Sequence, residues 1–183
     1  RQGQISQIGV RITPLMEDGS VPLTPADLEQ ALTKTLDPST GSMLTYEFML
    51  QNEGTSAISV GLSVTPVQRV DEQGILQSPI DEWWKLLNET GPWDLAASGD
   101  VGDSRIVTLT LEDVDADLEN PAGPRFALPG NFVNDLNIFD KNAPTISHTI
   151  RITSVVERVE CLFTILAGTG NDLGGKPGQT AVY

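Results

Sequence analysis

Apolar and polar residues alternate along much of the chain, a pattern typical of β-strands with one buried face. The clearest case begins at Met43 and places Leu44, Tyr46, Phe48 and Leu50 on one side. Strands are predicted on this basis at 43–51, 58–65, 105–111 and 146–153, and a more uniformly apolar strand at 159–167. The turn-forming residues between the first two strands predict that they pair as an antiparallel hairpin.

A short amphipathic strand is also predicted at the N-terminus. Ile8, Val10 and Ile12 alternate with polar residues, and Pro14 ends the run. The next predicted strand begins only at Met43, so this first strand has no hairpin partner nearby in the sequence. Such a strand is suited either to pairing within its own subunit or to adding itself to another one.

Two short helices are predicted between strands. Thr24-Pro25-Ala26-Asp27 provides an N-cap hydroxyl, a proline at the first helical position and an acidic first turn, which predicts a helix at 24–35. Ser78-Pro79-Ile80-Asp81 repeats this arrangement and predicts a second helix through Leu87. Residues 91–104 and 120–145 are rich in turn formers and are predicted as loops. The whole pattern predicts an all-β, jelly-roll-like sandwich with short helical insertions.

Length and charge narrow the functional classes. A chain of 183 residues suits one domain of ordinary size. Its 25 acidic and 11 basic residues give a net charge of −14, so binding to nucleic acid or to anionic membranes is not expected. No apolar run approaches the roughly 18 residues of a spanning helix, so insertion into a membrane is not expected either.

Few residues of the chain are suited to catalysis. One cysteine and one histidine exclude an internal disulfide and a zinc site with paired histidines. His148 and Cys161 lie in predicted strands. We interpret His148 as a packed or interfacial residue and Cys161 as a small core residue. Neither a nucleophile–base set nor a cofactor motif is present, so we expect no enzymatic activity and no cofactor.

A run of acidic residues is the one candidate for a metal site. Asp113, Asp115 and Asp117 alternate with apolar residues, and such oxygen-rich runs can bind Ca²⁺. The spacing does not fit an EF-hand, because Leu118 stands where that loop needs glycine. We therefore interpret the run as a solvated acidic strand end, with a calcium site as the alternative.

Three tryptophans and one glycosylation sequon complete the candidates. Trp83, Trp84 and Trp93 lie close together in the sequence and could pin a helix to the sandwich, stack on sugars or anchor an interface. Asn88-Glu89-Thr90 makes Asn88 a candidate for glycosylation if the protein is exported.

Residues 36–60 carry a resemblance to a known family. Leu44, Phe48, Asn52-Glu53-Gly54 and Ala57-Ile58 follow the "P-G-D-x-L-x-x-x-F-x-x-x-N-x-G-x-x-A-I" region of the TasA, camelysin and archaeal bundling-pilus family. In that family, as here, this region follows a short N-terminal strand. Some members are described as metallopeptidases, but this chain lacks H-E-x-x-H.

The resemblance implies a secreted filament subunit at the cell surface, of the biofilm-matrix type. In this interpretation residues 1–14 are a donor strand, residues 15–183 form one jelly-roll domain, and copies join head to tail. Ile8, Val10 and Ile12 would then contact the neighbouring subunit, and the partner is the chain itself. A viral capsid protein and a surface carbohydrate-binding module are the alternatives that the sequence leaves open.

Overall fold

The computed structural model describes residues 8–38, 40–79, 84–88, 91–113 and 129–158, with residues 84–88 described by their backbone. One helix is present in these ranges, α1 at Pro25–Leu32. The strands are β1 Val10–Pro14, β2 Thr33–Leu36, β3 Met43–Asn52, β4 Ile58–Val64, β5 Gln68–Val70, β6 Leu76–Pro79, β7 Trp84–Asn88, β8 Trp93–Leu95, β9 Ser104–Asp113, β10 Gly130–Asp140 and β11 Ala143–Val156.

The strands form two sheets. The first sheet has the order β1-β3-β9-β7. The second has the order β2-β11-β10-β4-β8, and β5 pairs with β10 and with β6. All pairs are antiparallel except β2 with β11. The prediction of an all-β sandwich is therefore confirmed.

The core lies between the inward faces of the two sheets. Tyr46, Phe48 and Leu50 of β3 are fully buried, as are Val60 of β4 and Ile152 of β11. These residues are the inward positions that the period-two pattern predicts. The period identified the buried face of each of these strands correctly.

The predicted hairpin between β3 and β4 is wrong, because these two strands lie in different sheets. β3 pairs with β1 and β9, whereas β4 pairs with β10 and β8. Amphipathic strands joined by a short link can stack their apolar faces instead of pairing edge to edge. The polar–apolar period specifies the face of a strand but not the partner at its edge.

Further predictions need correction. The loop predicted at 91–104 contains β8, which pairs with β4. The second predicted helix is absent from its described part, where β6 and β7 are strands and β7 pairs with β9. The loop predicted at 120–145 contains β10, whose interruptions by Asn and Asp are accommodated by partners on β11 and in the link after β4. The predicted helix at 24–35 ends at Leu32, because the β-branched Thr33 begins β2 beside β11. The predicted strand at 159–167 lies outside the described residues.

Candidate strand-exchange interface

The N-terminal strand β1 lies at the edge of the first sheet. It pairs with β3 in the register Val10 with Asn52 through Pro14 with Phe48. Ile8 and Val10 are buried in the core, and Ile12 is half-buried against it. The three residues predicted from sequence thus share the inward face of the strand, within their own chain.

Polar contacts fix the register of β1 at its outer face. The guanidinium of Arg11 donates to the carboxylate of Glu53 at 2.7 Å, and both side chains are largely exposed. The Glu53 amide donates to the carbonyl of Gly9 at 3.0 Å. An exposed ion pair of this kind contributes about 0.2–1 kcal/mol, so it sets alignment more than stability.

The chain leaves the sheet directly after β1. The Leu15 amide donates to the Glu47 carbonyl at 2.9 Å, and a turn closed by the Met16 amide and the Ser20 carbonyl follows. The amide and hydroxyl of Ser20 donate to the Asp18 carboxylate and lower its pKa. The connection then runs to α1, whose N-cap Thr24 accepts from the Asp27 amide. Residues 15–24 therefore link β1 to the body through a turn and an irregular segment.

A groove of about 960 Å³ lies beside the first residues of β3. The β1 ladder covers only residues 48–52 of β3, whereas β9 pairs along 43–51 on the other side. Within the described ranges, no strand pairs with residues 43–46 on the β1 side. The opposite wall is β2, which pairs only with β11 among the described strands. The groove thus separates two open strand edges, one from each sheet.

The chemistry of the groove changes with depth. Its most buried lining residues are apolar: Leu15, Leu36 and Leu44. Its rim carries the carboxylates of Glu17, Asp18, Asp37 and Glu47, and Lys34 is the one basic residue in the lining. The side of an apolar strand could lie on this floor, with the polar rim at the surface.

Tyr46 connects the two sheets beneath the groove. Its hydroxyl donates to the Thr153 carbonyl and lies 3.0 Å from the Ser154 hydroxyl oxygen. The ammonium of Lys34 lies 5.7 Å from the centre of its ring. Burial raises the pKa of Tyr46 to about 12, against the smaller opposing effect of its hydrogen bonds.

Asn52 fixes the passage from the first sheet to the second. Its buried amide nitrogen donates to the carbonyls of Ser56 at 2.8 Å and Ala96 at 2.9 Å. Its amide oxygen accepts from the Gly54 backbone at 2.9 Å. The sequence predicts this residue only as the start of a turn. The Asn-x-Gly spacing was the signal that could have shown that its side chain caps the loop.

Those of the other candidate residues that the structure describes do not gather into one site. Asp113 ends β9, while Asp115 and Asp117 lie outside the described residues. Within the described ranges, no group of three or more His, Cys, Asp or Glu residues is arranged to hold a metal ion. Asn88 ends β7, and Cys161 lies outside the described residues.

His148 is exposed, which corrects its interpretation as a packed residue. It lies toward the hairpin end of β11, whereas the inward positions of that strand are fully buried only from Ile152 onward. Alternation in the sequence does not show where along a long strand the core begins. His148 could still contact another molecule, but it has no place in the core.

The tryptophans occupy different environments. Trp93 of β8 is buried in the core, and the guanidinium of Arg105 lies 5.6 Å from its ring centre. Trp84 begins β7, and Trp83 lies outside the described residues. Trp93 is therefore a core residue and has no exposed face for stacking on a sugar.

A shallower groove follows the outer edge of β1. It has a volume of about 440 Å³ and is lined by Arg11–Pro14, Pro22–Pro25 and Leu28. Leu23 is 88% exposed and Leu28 is also exposed. Apolar side chains beside an open strand edge are a common feature of contact surfaces between proteins.

Comparisons with known proteins give the architecture no family name. No family model matches the chain, and no curated protein matches it. Among solved structures, the chain is similar to a PapD-like domain of human CEP192, with 17% identity, a TM-score of 0.44, and coverage of 85% of this chain and 89% of that one. It is also similar to the cupredoxin domain of amoB from Nitrosocaldus yellowstonii, with 12% identity, a TM-score of 0.41, and coverage of 85% and 91%.

A third similarity is to a family 123 glycoside hydrolase from Clostridium perfringens. The identity is 13% and the TM-score is 0.48. The match covers 83% of this chain and 28% of the hydrolase.

Within the described residues, no helix has the length and apolar character needed to cross a bilayer.

Proposed function

We propose that this chain is a structural subunit of an extracellular filament, assembled when β1 of one copy takes the place of β1 at the edge of β3 in the next. The observation that carries the proposal is the position of β1. It is an amphipathic edge strand whose ladder contacts β3 alone among the described strands. The extracellular location and the biofilm-matrix role rest on the sequence resemblance at 36–60.

Exchange of β1 between copies would preserve the contacts found within one chain. A donated strand would bury Ile8 and Val10 and would pair with β3 in the same register. Exchange of identical elements is therefore a low-cost route to association. The equilibrium between free and strand-exchanged subunits then depends on the connection at 15–24, on the protein concentration and on new contacts between subunits.

The surroundings of β1 offer such new contacts. The groove at its outer edge and the exposed Leu23 lie next to the connection that would cross between subunits. If each copy donates to the next without reciprocity, the contact is heterologous, and an unclosed series of such contacts forms a fibre. Reciprocal exchange would instead give a closed dimer.

The test uses two single-cysteine additions made in separate chains. Thr13 and Met49 are directly opposite in the β1–β3 ladder, within the distance that a disulfide can span with small adjustment. A mixture of Thr13→Cys chains and Met49→Cys chains can form a 13–49 disulfide only between two molecules. We expect this bond after refolding the mixture at assembly concentration, identified by peptide mass mapping.

The matched control replaces Met49→Cys with Thr110→Cys. Thr110 lies on β9 opposite Thr45, beyond the part of β3 that β1 covers. We expect no 13–110 disulfide in the oxidised mixture. A third sample is the chain that carries both Thr13→Cys and Met49→Cys. If the 13–49 bond forms within that chain but not in the mixture of singly substituted chains, β1 stays within its own subunit and strand exchange is wrong.

A further inference from the structure

We infer that the groove between β2 and β3 is the docking site of this chain's own C-terminal segment, residues 159–167, within the same subunit. The inference does not depend on exchange of β1. It rests on the open strand edges, the apolar floor of the groove, and the place where the described chain ends beside it.

The groove presents backbone groups that a strand could pair with. The Asn52 amide donates to the Asp103 carbonyl, so the backbone groups of Asn52 are directed toward β9. The Glu47 carbonyl accepts from the Leu15 amide, so the backbone groups of Glu47 are directed toward the β1 side. Because antiparallel pairing alternates along a strand, Met43 and Thr45 direct their backbone N–H and C=O groups toward the groove. Within the described ranges, β1 ends before it reaches them.

The chain reaches this groove as it leaves β11. β11 and β2 are parallel, and Val156 lies opposite Leu36. The Glu157 amide donates to the Leu36 carbonyl at 2.9 Å, and Leu36 is part of the groove floor. Residues 159–183 follow and lie outside the described residues. A segment attached this close has a high effective concentration at the groove.

The sequence of that segment suits the site. Val159, Cys161, Phe163 and Ile165 alternate on one face of the predicted strand at 159–167. Nine extended residues span about 30 Å, more than the open part of β3 requires. Apolar side chains would meet the three leucines of the groove floor, and Glu160 is the one charged residue between 159 and 167. Burial of these apolar side chains against the groove floor is therefore more favourable than their exposure to water.

The first experiment uses Cys161, the chain's one cysteine, in the full-length protein. Lys34→Cys introduces a thiol in the groove lining, over the ring of Tyr46. We expect mild oxidation, or a short bismaleimide, to join the introduced thiol at position 34 to Cys161 within monomers at low protein concentration. Peptide mass mapping identifies the bond.

The matched control is Lys141→Cys, at the hairpin that connects β10 to β11. Lys141 is at the far end of the long strand β11 from Glu157, roughly 45 Å away, so no link to Cys161 should form. A 34–161 link found only between molecules would assign the groove to a second copy's segment and overturn docking in cis. A link absent altogether, or equal at position 141, would overturn the docking itself.

The second experiment measures amide hydrogen exchange in the full-length protein. Phe163→Asp should place a charge against the apolar floor and raise the exchange rate of the Thr45 amide by about tenfold or more. The neighbouring Tyr46 amide, directed toward β9, should be unchanged. Thr164→Asp, on the other face of the predicted strand, is the control and should leave both amides as they are. If Phe163→Asp leaves the Thr45 amide unchanged, residues 159–167 do not pair there.

Discussion

At the scale of single residues, polar groups inside the sandwich are stabilised by contacts that cross between its layers. Tyr46 has an apolar ring among core residues and a hydroxyl that reaches β11. The Asn52 side chain holds the link between β3 and β4 through Gly54 and Ser56, and it joins that link to the segment after β8 through the Ala96 carbonyl. Both side chains occupy inward positions where a purely apolar residue would pack but would leave those partners unpaired.

Removing the Tyr46 hydroxyl should therefore weaken the fold. We expect Tyr46→Phe to lower the free energy of unfolding by about 1–2 kcal/mol at neutral pH, measured by urea denaturation, because the hydroxyl's partners on β11 lose a hydrogen bond. Ser154→Ala removes only one of the two contacts and should cost less.

The effect should depend on pH in a defined direction. The pKa of Tyr46 is raised to about 12 in the folded protein, so its contribution is full below the unfolded value near 10. As the pH rises from about 10 through about 12, the unfolded chain ionises first and the wild-type protein loses this stability. The difference from Tyr46→Phe should shrink over that range. A difference that widens there would contradict this assignment.

At the scale of elements, β1 is attached to the rest of the first sheet through one ladder. We expect Val10→Asp to detach it, because the carboxylate would enter the core without a partner. The amides of Met49 and Gln51, which face β1, should then exchange faster with solvent. Those of Phe48 and Leu50, which face β9, should stay protected.

The same substitution should prevent assembly, whichever chain supplies the strand. Filaments measured by sedimentation should be absent for Val10→Asp. Thr13→Asp, on the opposite face of β1, is the control and should retain them. Normal filaments from Val10→Asp would show that β1 is not part of the subunit contact.

At the scale of the whole molecule, charge opposes association. Each copy carries a net charge of −14, so identical bodies repel each other at neutral pH. We expect assembly to accelerate as salt increases from about 0.01 M to about 1 M, because the screening length falls from about 30 Å to about 3 Å. Lowering the pH toward the isoelectric point near 4.2 should act in the same direction.

Light scattering at constant protein concentration measures this effect. Arg11→Gln removes the ion pair with Glu53 and serves as a comparison. Its effect on the assembly rate should be largest at low salt, where the pair is least screened. Assembly that slows as salt rises would mean that attraction between unlike patches outweighs the repulsion between whole bodies.

The sequence by itself determined the class of the fold and the inward face of most strands. Alternation at 43–51 and 58–65 identified the residues that fill the core, because burial follows a local period of two. The cap at Thr24 likewise identified α1, because an N-cap depends on a few adjacent residues. The face formed by Ile8, Val10 and Ile12 was also readable from the sequence, since it needs only the local period.

Only the tertiary structure decided which strands are neighbours. β3 and β4 lie on opposite sides of the core instead of pairing, and β7 completes the first sheet where the body of a helix was predicted. The groove beside β3 exists because β1 ends before Met43 and β2 belongs to the other sheet, which no local pattern records. Strands pair at their edges through backbone N–H and C=O groups, which every residue except proline carries alike. The choice of neighbouring strand is therefore decided by how distant segments pack, and not by the order of side chains along one strand.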